Sequence, residues 1–278
     1  MNLRWATYAI AGLFLAFLIL FEIMPGVVLA IGAFTNKEGF TLEHILSIGK
    51  RLFSNALINS LTLSFQTALE GGILGTLTAG ALWSSSNERL KRFVTAVSGV
   101  GANSGGVPLA FAFVVLLGAS GIINLIFTRL GLETIDIYRR ENLHWIYLYF
   151  QWPLMTVLML PAFAAIDRSW LEAARGLGGS ALTFWARVGI PVLLPTLLGS
   201  LVLLFANAFG AYATVYALSQ GNVNLLPTQI GFQVSGSTGY NPGGAAALSL
   251  VMAVVLLLCL GLYRFSRNWA ARLQVGGS

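Results

Sequence analysis

Few side chains in this sequence are placed to do chemistry. Two acids stand inside long apolar stretches: Glu22, and Glu70 in SFQTALEGG beside Gln66 and Gly71-Gly72. An ionisable group at that depth is costly to keep, so it marks a proton or ion contact, a hydrogen bond to a neighbouring helix, or a side chain reaching interfacial water. Glu22 sits near the end of its stretch, where water is close. Glu70 is near the middle of its own, where a buried hydrogen bond and a place on a solute path both fit. Polar residues recur in three other apolar stretches: Asn103 and Ser104 in VSGVGANSGGVPLAF (97–111), Tyr149 and Gln151, and Asn207, Tyr212, Thr214 and Tyr216 in LFANAFGAYATVYAL (204–218). Each suits either helix packing or contact with a passing solute. Covalent catalysis finds no support. The histidines His44 and His144 stand far apart, Cys259 is the single cysteine, and no Ser/His/Asp set or carboxylate pair stands out. With one cysteine and two separated histidines there is no metal spacing and no disulfide framework. No G-x-x-x-x-G-K-[ST] stretch occurs, so no phosphate-cradling loop is encoded.

These residues must be held by membrane-spanning helices. The chain has 278 residues, 56% hydrophobic and only 9% charged, with a mean hydropathy of +0.78. A soluble domain carries about a quarter charged residues. Six segments are long enough to cross about 30 Å of hydrocarbon: 8–33, 56–84, 93–118, 145–165, 194–218 and 245–264. Their continuous apolar runs exclude a β-barrel, whose strands would alternate over about ten residues. The expected fold is an all-α integral membrane bundle of six helices in one domain, 1–278. The first apolar stretch is too long for a cleaved signal segment and is expected to remain as the first span.

Charge orients the bundle. Arg4, Arg89, Lys91, Arg92, Arg168, Arg175, Arg187, Arg264, Arg267 and Arg272 fall on one side. Lys37, Lys50, Arg51, Arg129, Arg139 and Arg140 fall on the other, with Glu38, Glu43, Glu133, Asp136 and Glu141 among them. The positive-inside rule then puts both termini in the cytoplasm. Trp5, Trp83, Trp145, Trp170 and Trp269 fall near span ends, where interfacial aromatics belong. The net charge of +6 is explained by this orientation and does not call for nucleic acid. On the outer side, 39–53 reads as a short amphipathic helix, 117–142 as apolar then charged, and 220–244 as turn-rich.

The long polar interruption is the cytoplasmic segment 166–193, between the fourth and fifth spans. Ser169-Trp-Leu-Glu172 fits a capping box. Trp170, Ala173, Ala174 and Leu177 fall on one helical face. Gly176, Gly178 and Gly179 stop that helix, Ser180 caps another, and Pro191 and Pro195 are expected to kink or end it. The spacing predicts a helix, a sharp turn and a helix at the inner surface.

Within it, Glu172-Ala173-Ala174, three residues, Gly178, nine residues and Val188-Gly189-Ile190-Pro191 resemble the EAA loop of ABC-importer permease subunits, whose pattern ends in I-x-L-P. Val for Ile and Ile for Leu are the departures. FTLEH (40–44) resembles a segment found after the first span in that family. The stretch 204–218 resembles a segment of its polyamine, ferric iron and thiamine permeases. The resemblance covers nearly the whole chain. It implies a six-helix type I ABC-importer permease in the bacterial inner membrane, with no catalytic or nucleotide site of its own. It implies that Glu172, Ala173, Ala174 and Gly178, with Arg175 beside them, dock a dimer of separate ATPase subunits that bind ATP and Mg. A second permease, favoured to be a related chain, and an external solute-binding protein would complete the assembly. Glu70, Asn103, Ser104, Tyr149, Asn207 and Tyr212 are the candidate path residues. Acids without bases in the spans favour a cation, with a polyamine or ferric iron first and an anion such as a phosphonate open. An ion-gradient-driven carrier is the rival reading, and it would call for a matching repeat that is not visible.

Overall fold

The structure is a computed structural model that describes residues 3–219, 223–236 and 239–275. The side chains of Trp5 and Trp269, and residues 220–222 and 237–238 of the turn-rich stretch, lie outside those described. In chain order the helices are α1 (Leu3–Leu18), α2 (Met24–Ala33), α3 (Glu43–Leu46), α4 (Arg51–Ser84), α5 (Glu88–Asn103), α6 (Val107–Leu117) and α7 (Ile122–Arg129). They continue as α8 (Arg140–Ala164), α9 (Arg168–Gly176), α10 (Ala181–Phe184), α11 (Ile190–Phe209), α12 (Ala213–Ser219), α13 (Leu226–Ser235) and α14 (Pro242–Val275). The strands described are β1 (Thr35–Asn36) and β2 (Gly39–Phe40), antiparallel, with Thr35 opposite Phe40. Gly39, at φ +120°, makes the tight return. The expected amphipathic helix over 39–53 shrinks to this hairpin, the single turn of α3 and a 3₁₀ turn, Ser47–Gly49.

Among the described residues, five stretches are long and apolar enough to cross a membrane: Tyr8–Ala33, Val107–Arg129, Glu141–Ala164, Ala181–Phe209 and Pro242–Phe265. The expected second span falls on α4, which has 34 residues and is about 50 Å long at 1.5 Å per residue. Ser60, Thr62, Ser64, Gln66, Thr67 and Glu70 dilute its hydropathy. Its threonines are satisfied internally: Thr62, Thr67, Thr76 and Thr78 each donate to the carbonyl four residues back.

The expected third and fifth spans are each interrupted. Between α5 and α6, Gly106 takes φ +89°, and Pro108 can enter only the first turn of the next helix. Between α11 and α12 the chain breaks at 210–212.

The described residues fall into two compact units, Met1–Leu57 with Gln229–Val255 and Ile58–Thr228 with Leu256–Ser278. In the first, Ala33, Ala246 and Ala247 are buried together against Phe34, Ile45 and Ile48. In the second, one cluster joins Leu63, Leu109, Tyr147, Phe150, Ala208 and Val215. Another joins Met155, Met159, Phe163, Ile166, Phe184 and Leu204. Small residues set the spacing of α4 and α8: a Cβ on Gly71 would lie 2.8 Å from Gln151 Cβ, and one on Gly75 would strike Met155 Cβ. With lipid as apolar as the side chains, such close contact supplies the dispersion energy that holds helices together. Gln151, a candidate for the path, is fully buried here and donates to the Leu204 carbonyl at 2.7 Å. Many apolar side chains point away from any core, among them Leu13, Phe14, Phe65, Ile73, Leu77 and Phe111. Exposed apolar surface on this scale needs lipid or another chain to cover it.

Candidate coupling surface and solute cleft

The loop after α8 is built by local capping. The carboxylate of Asp167 accepts the Ser169 backbone N–H at 2.9 Å, so Asp167 is the N-cap of α9 and the expected Ser169–Glu172 box does not form. Asp167 comes first in the chain, and its short side chain reaches the open N–H of the first turn. Fully exposed, Asp167 is held below the usual carboxylate range by its hydrogen bonds to Ser169.

At the other end of α9, Gly179 N–H donates to the Ala174 carbonyl at 2.8 Å and Gly178 N–H to the Arg175 carbonyl at 2.9 Å. Together with φ +81° at Gly178, this is a Schellman closure. Ser180 then caps α10, accepting the Thr183 N–H at 3.1 Å. The prolines do not end the next helix. A π-helical turn, Trp185–Gly189, leads directly into α11, and Ile190 N–H bonds back to the Trp185 carbonyl. Pro191 is the second residue of α11, directly after the π-helical turn, and the helix runs on through it. Pro195 lies inside α11, tolerated without ending it.

Packing decides which face of α9 is presented. Leu171 and Ala174 pack inward against the cluster holding Phe163, Ile166 and Phe184. The expected apolar face is therefore rotated: Trp170 and Leu177 point out. Glu172, Ala173, Arg175 and Gly178 are exposed, and Ala174 is half-buried. Leu177 is 91% exposed and Leu182 80% exposed. Two bare leucines on either side of a left-handed glycine, beside an acid and a base, form a knob suited to an apolar groove with a charged rim. The sequence spacing did not single out Leu182. Its signal was an apolar residue on a short helix whose inward positions are filled by Phe184 and Trp185.

The path candidates divide. Asn207 and Tyr212 come together, lining a cleft of about 390 Å³ with Gly105, Gly106, Phe150 and Thr214. The cleft lies where the α5–α6 break meets the α11–α12 break, and Gly106 N–H donates to Thr214 Oγ1 at 2.8 Å across it. Tyr212 is stacked on Tyr216, ring centres 5.3 Å apart. Asn103 and Ser104 end α5 beside the cleft, but their side chains turn back to the Gly99 and Val100 carbonyls. Tyr149 stands edge-on to Phe113 at 5.5 Å, outside this cleft. Glu70 accepts from Gln66 Nε2 at 3.0 Å on its own helix and is also outside it. Gly105 and Gly106 belong to the glycine-rich stretch 97–111 weighed as a solute-facing segment, and Gly210 was missed as a lining residue. The glycine-proline run GGVP and the FGAY sequence were the available signals. Among the described residues no group of three His, Cys, Asp or Glu is placed to hold a metal ion.

No family model matches the chain. It is similar to the spermidine/putrescine transport system permease protein PotC of Escherichia coli strain K12, 24% identical over 242 residues, covering 84% of this chain and 86% of that protein. The PotC homolog of Mycoplasma genitalium is 23% identical over 205 residues, covering 73% of this chain and 68% of that one. Among solved structures, a bacterial ABC transporter involved in import of the acidic polysaccharide alginate superposes with a TM-score of 0.76 at 19% identity, covering 96% of each chain. The chain is related to the permease subunits of ABC importers. The permease fold is shared more distantly with the methionine ABC transporter MetNI in an inward-facing conformation, TM-score 0.56 at 17% identity, covering 79% of this chain and 98% of that one. Proteins of this fold are described as serving a polyamine, a polysaccharide and an amino acid, so the fold by itself does not name a solute.

Proposed function

We propose that this chain is the membrane-spanning permease subunit of an ATP-driven ABC importer and forms half of a solute path. α4 makes the sixth crossing, its threonines bonded to its own backbone and Gln66 paired with Glu70 on the same helix, and both termini are cytoplasmic. The chain sits in a bacterial inner membrane with a second permease, a related chain. A dimer of ATPase subunits, which bind ATP and Mg, docks on 166–193, and a solute-binding protein docks on the outer loops.

The observation that carries the reading is the exposed knob of α9 and α10. Glu172, Ala173 and Arg175 face outward, Leu177 and Leu182 are bare, and Gly178 holds the turn between them. Closure of the ATPases on nucleotide would press on this knob and bias a bundle with two stable arrangements. The solute is a small cation of the polyamine type, with ferric iron next. The PotC relatives, the acidic Glu70 within α4 and the stacked tyrosines at the cleft favour it. An aromatic face attracts an ammonium group. The test is uptake into right-side-out vesicles. Accumulation of radiolabelled spermidine that needs internal ATP, and drops when Glu70→Gln or Tyr212→Ala is introduced, supports both parts. Unchanged uptake by Glu70→Gln removes Glu70 from the path.

One observation favours a second reading. Two interrupted helices meeting at one cleft also suit an ion-gradient-driven carrier. Uptake in liposomes containing this chain alone, driven by a sodium or proton gradient without ATP, would select that reading.

A further inference from the structure

We infer that Arg168 is a positioning residue which, with Trp83, clasps α9 to the end of α4 and so carries movement of the coupling loop into the bundle. The inference rests on the permease reading above. Trp83 stands in the last turn of α4. Its indole Nε1–H donates to the Ile166 carbonyl at 3.2 Å, just before α9. Arg168, the first residue of α9, answers in the other direction. Its Nη2 donates to the Trp83 carbonyl and, at 3.2 Å, to the Ser85 carbonyl. Its guanidinium carbon lies 5.7 Å from the centre of the Trp83 ring.

Three physical terms favour this geometry. The last carbonyls of α4 have no partner within the helix. A cation suits the negative end of the helix dipole. A planar guanidinium holds both acceptors from one nitrogen while stacking over the aromatic face in a fixed geometry, and a compact, strongly hydrated lysine ammonium on a flexible stem is a poor substitute.

The same indole also grips the far side of the loop. Trp83 meets Trp185 edge-on at 5.5 Å and Phe163 at 6.5 Å. Trp185 opens the π-helical turn into α11. One side chain of α4 therefore touches the entrance and the exit of the loop. α4 itself is seated on α8 through Gly71 and Gly75, where a Cβ would run into Gln151 and Met155. A push on α9 must then displace the α4 end as a unit. Arg168 does this from the N-terminal end of α9, while Glu172, Ala173 and Gly178 present the docking surface.

The test measures radiolabelled spermidine moved per ATP hydrolysed by the assembled transporter in liposomes. The variants are Arg168→Met, Arg168→Lys and Trp83→Phe, the last keeping an apolar ring without the N–H. The clasp predicts that ATPase subunits co-purify in wild-type amount and hydrolysis continues. The ratio falls about fivefold or more for Arg168→Met, and Lys does not restore it. In a Cys259→Ala background, Ser85→Cys with Arg168→Cys joined by a reducible bis-methanethiosulfonate linker should regain the ratio and lose it on reduction. An unchanged ratio in both Arg168→Met and Trp83→Phe would overturn the clasp. Loss of the ATPase from Arg168→Met would overturn it too, making Arg168 a docking residue. Absence of any ATPase from the wild-type protein is a different result, removing the permease reading itself.

Discussion

Gly106 and Thr214, from two different interrupted helices, are joined by a single hydrogen bond from backbone N–H to side-chain oxygen, 2.8 Å long. Thr214 is 4% exposed, so its hydroxyl has little water to turn to. The bond ties the two breaks together on one wall of the Asn207–Tyr212 cleft. Thr214→Val keeps the shape and leaves the Gly106 N–H unpaired, which costs about 1–3 kcal/mol. The expected outcome is a lower unfolding temperature in detergent and a raised KM for uptake. Thr214→Ser should behave as wild type.

Gly178 and Gly176 make a matched pair for the coupling turn. Gly178 has φ +81°, and a side chain there costs roughly 1–2 kcal/mol in a left-handed conformation. Gly176 is the last helical residue of α9, and a Cβ on it would meet nothing within 4 Å. Gly178→Ala should reduce recovery of ATPase with the permease, and Gly176→Ala should leave it intact. Quantitative co-purification from detergent extracts checks both.

Asn124 is the hub of the segment after α6. Its Nδ2 is within donating distance of the carbonyls of Leu117, Gly118 and Ile135, at 2.8, 3.0 and 2.9 Å, and its Oδ1 accepts the Ile135 N–H at 2.9 Å. The side chain is 2% exposed. Asn124→Leu fills the volume and strands these backbone groups, each at a cost of about 1–3 kcal/mol. Limited proteolysis should then cut within 118–136 in intact outward-facing vesicles, where the wild type resists.

Asp167 makes the start of α9 sensitive to acid. Its carboxyl is held below the ordinary range by hydrogen bonding to Ser169. Its folded pKa is below its unfolded one, so the capping contribution is complete above the unfolded value and disappears as pH falls through the folded one. ATPase docking should therefore weaken as pH drops past the normal carboxylate range. Asp167→Asn, which caps without titrating, should remove that part of the pH dependence. A pH titration of co-purification for both proteins measures this.

The helical membrane architecture was legible in composition and run length, because both follow from the thickness and dryness of the bilayer. The Gly178 turn was legible because its glycine sits where a helix must stop. The identity of the N-cap was not: Asp167 and Ser169 are both good caps, and Asp167, two residues earlier, takes the Ser169 N–H itself. The outward face of α9 was misjudged for a related reason. Its apolar residues offer two stripes, Trp170–Ala173–Leu177 and Leu171–Ala174, and the aromatic cluster around Phe163 and Trp185 took the second. The break at 104–106 was one of two readings of the glycine-rich stretch 97–111, whereas the break at 210–212 was obscured by continuous hydropathy, which registers side chains and not the backbone freedom of Gly210. The clasp joins residues 83 and 168, which no local pattern connects.

The central claim is that the knob formed by α9 and α10 docks an ATPase. The most direct measurement is affinity purification of the tagged protein from gently solubilised native membranes, wild type beside Glu172→Lys, with mass identification of what accompanies each. A Walker-motif ATPase that arrives with the wild type and is lost with Glu172→Lys, while both proteins are recovered equally from the membrane, is the predicted result. A wild-type protein that arrives without an ATPase, or an ATPase retained in full by Glu172→Lys and by Gly178→Pro, would contradict it.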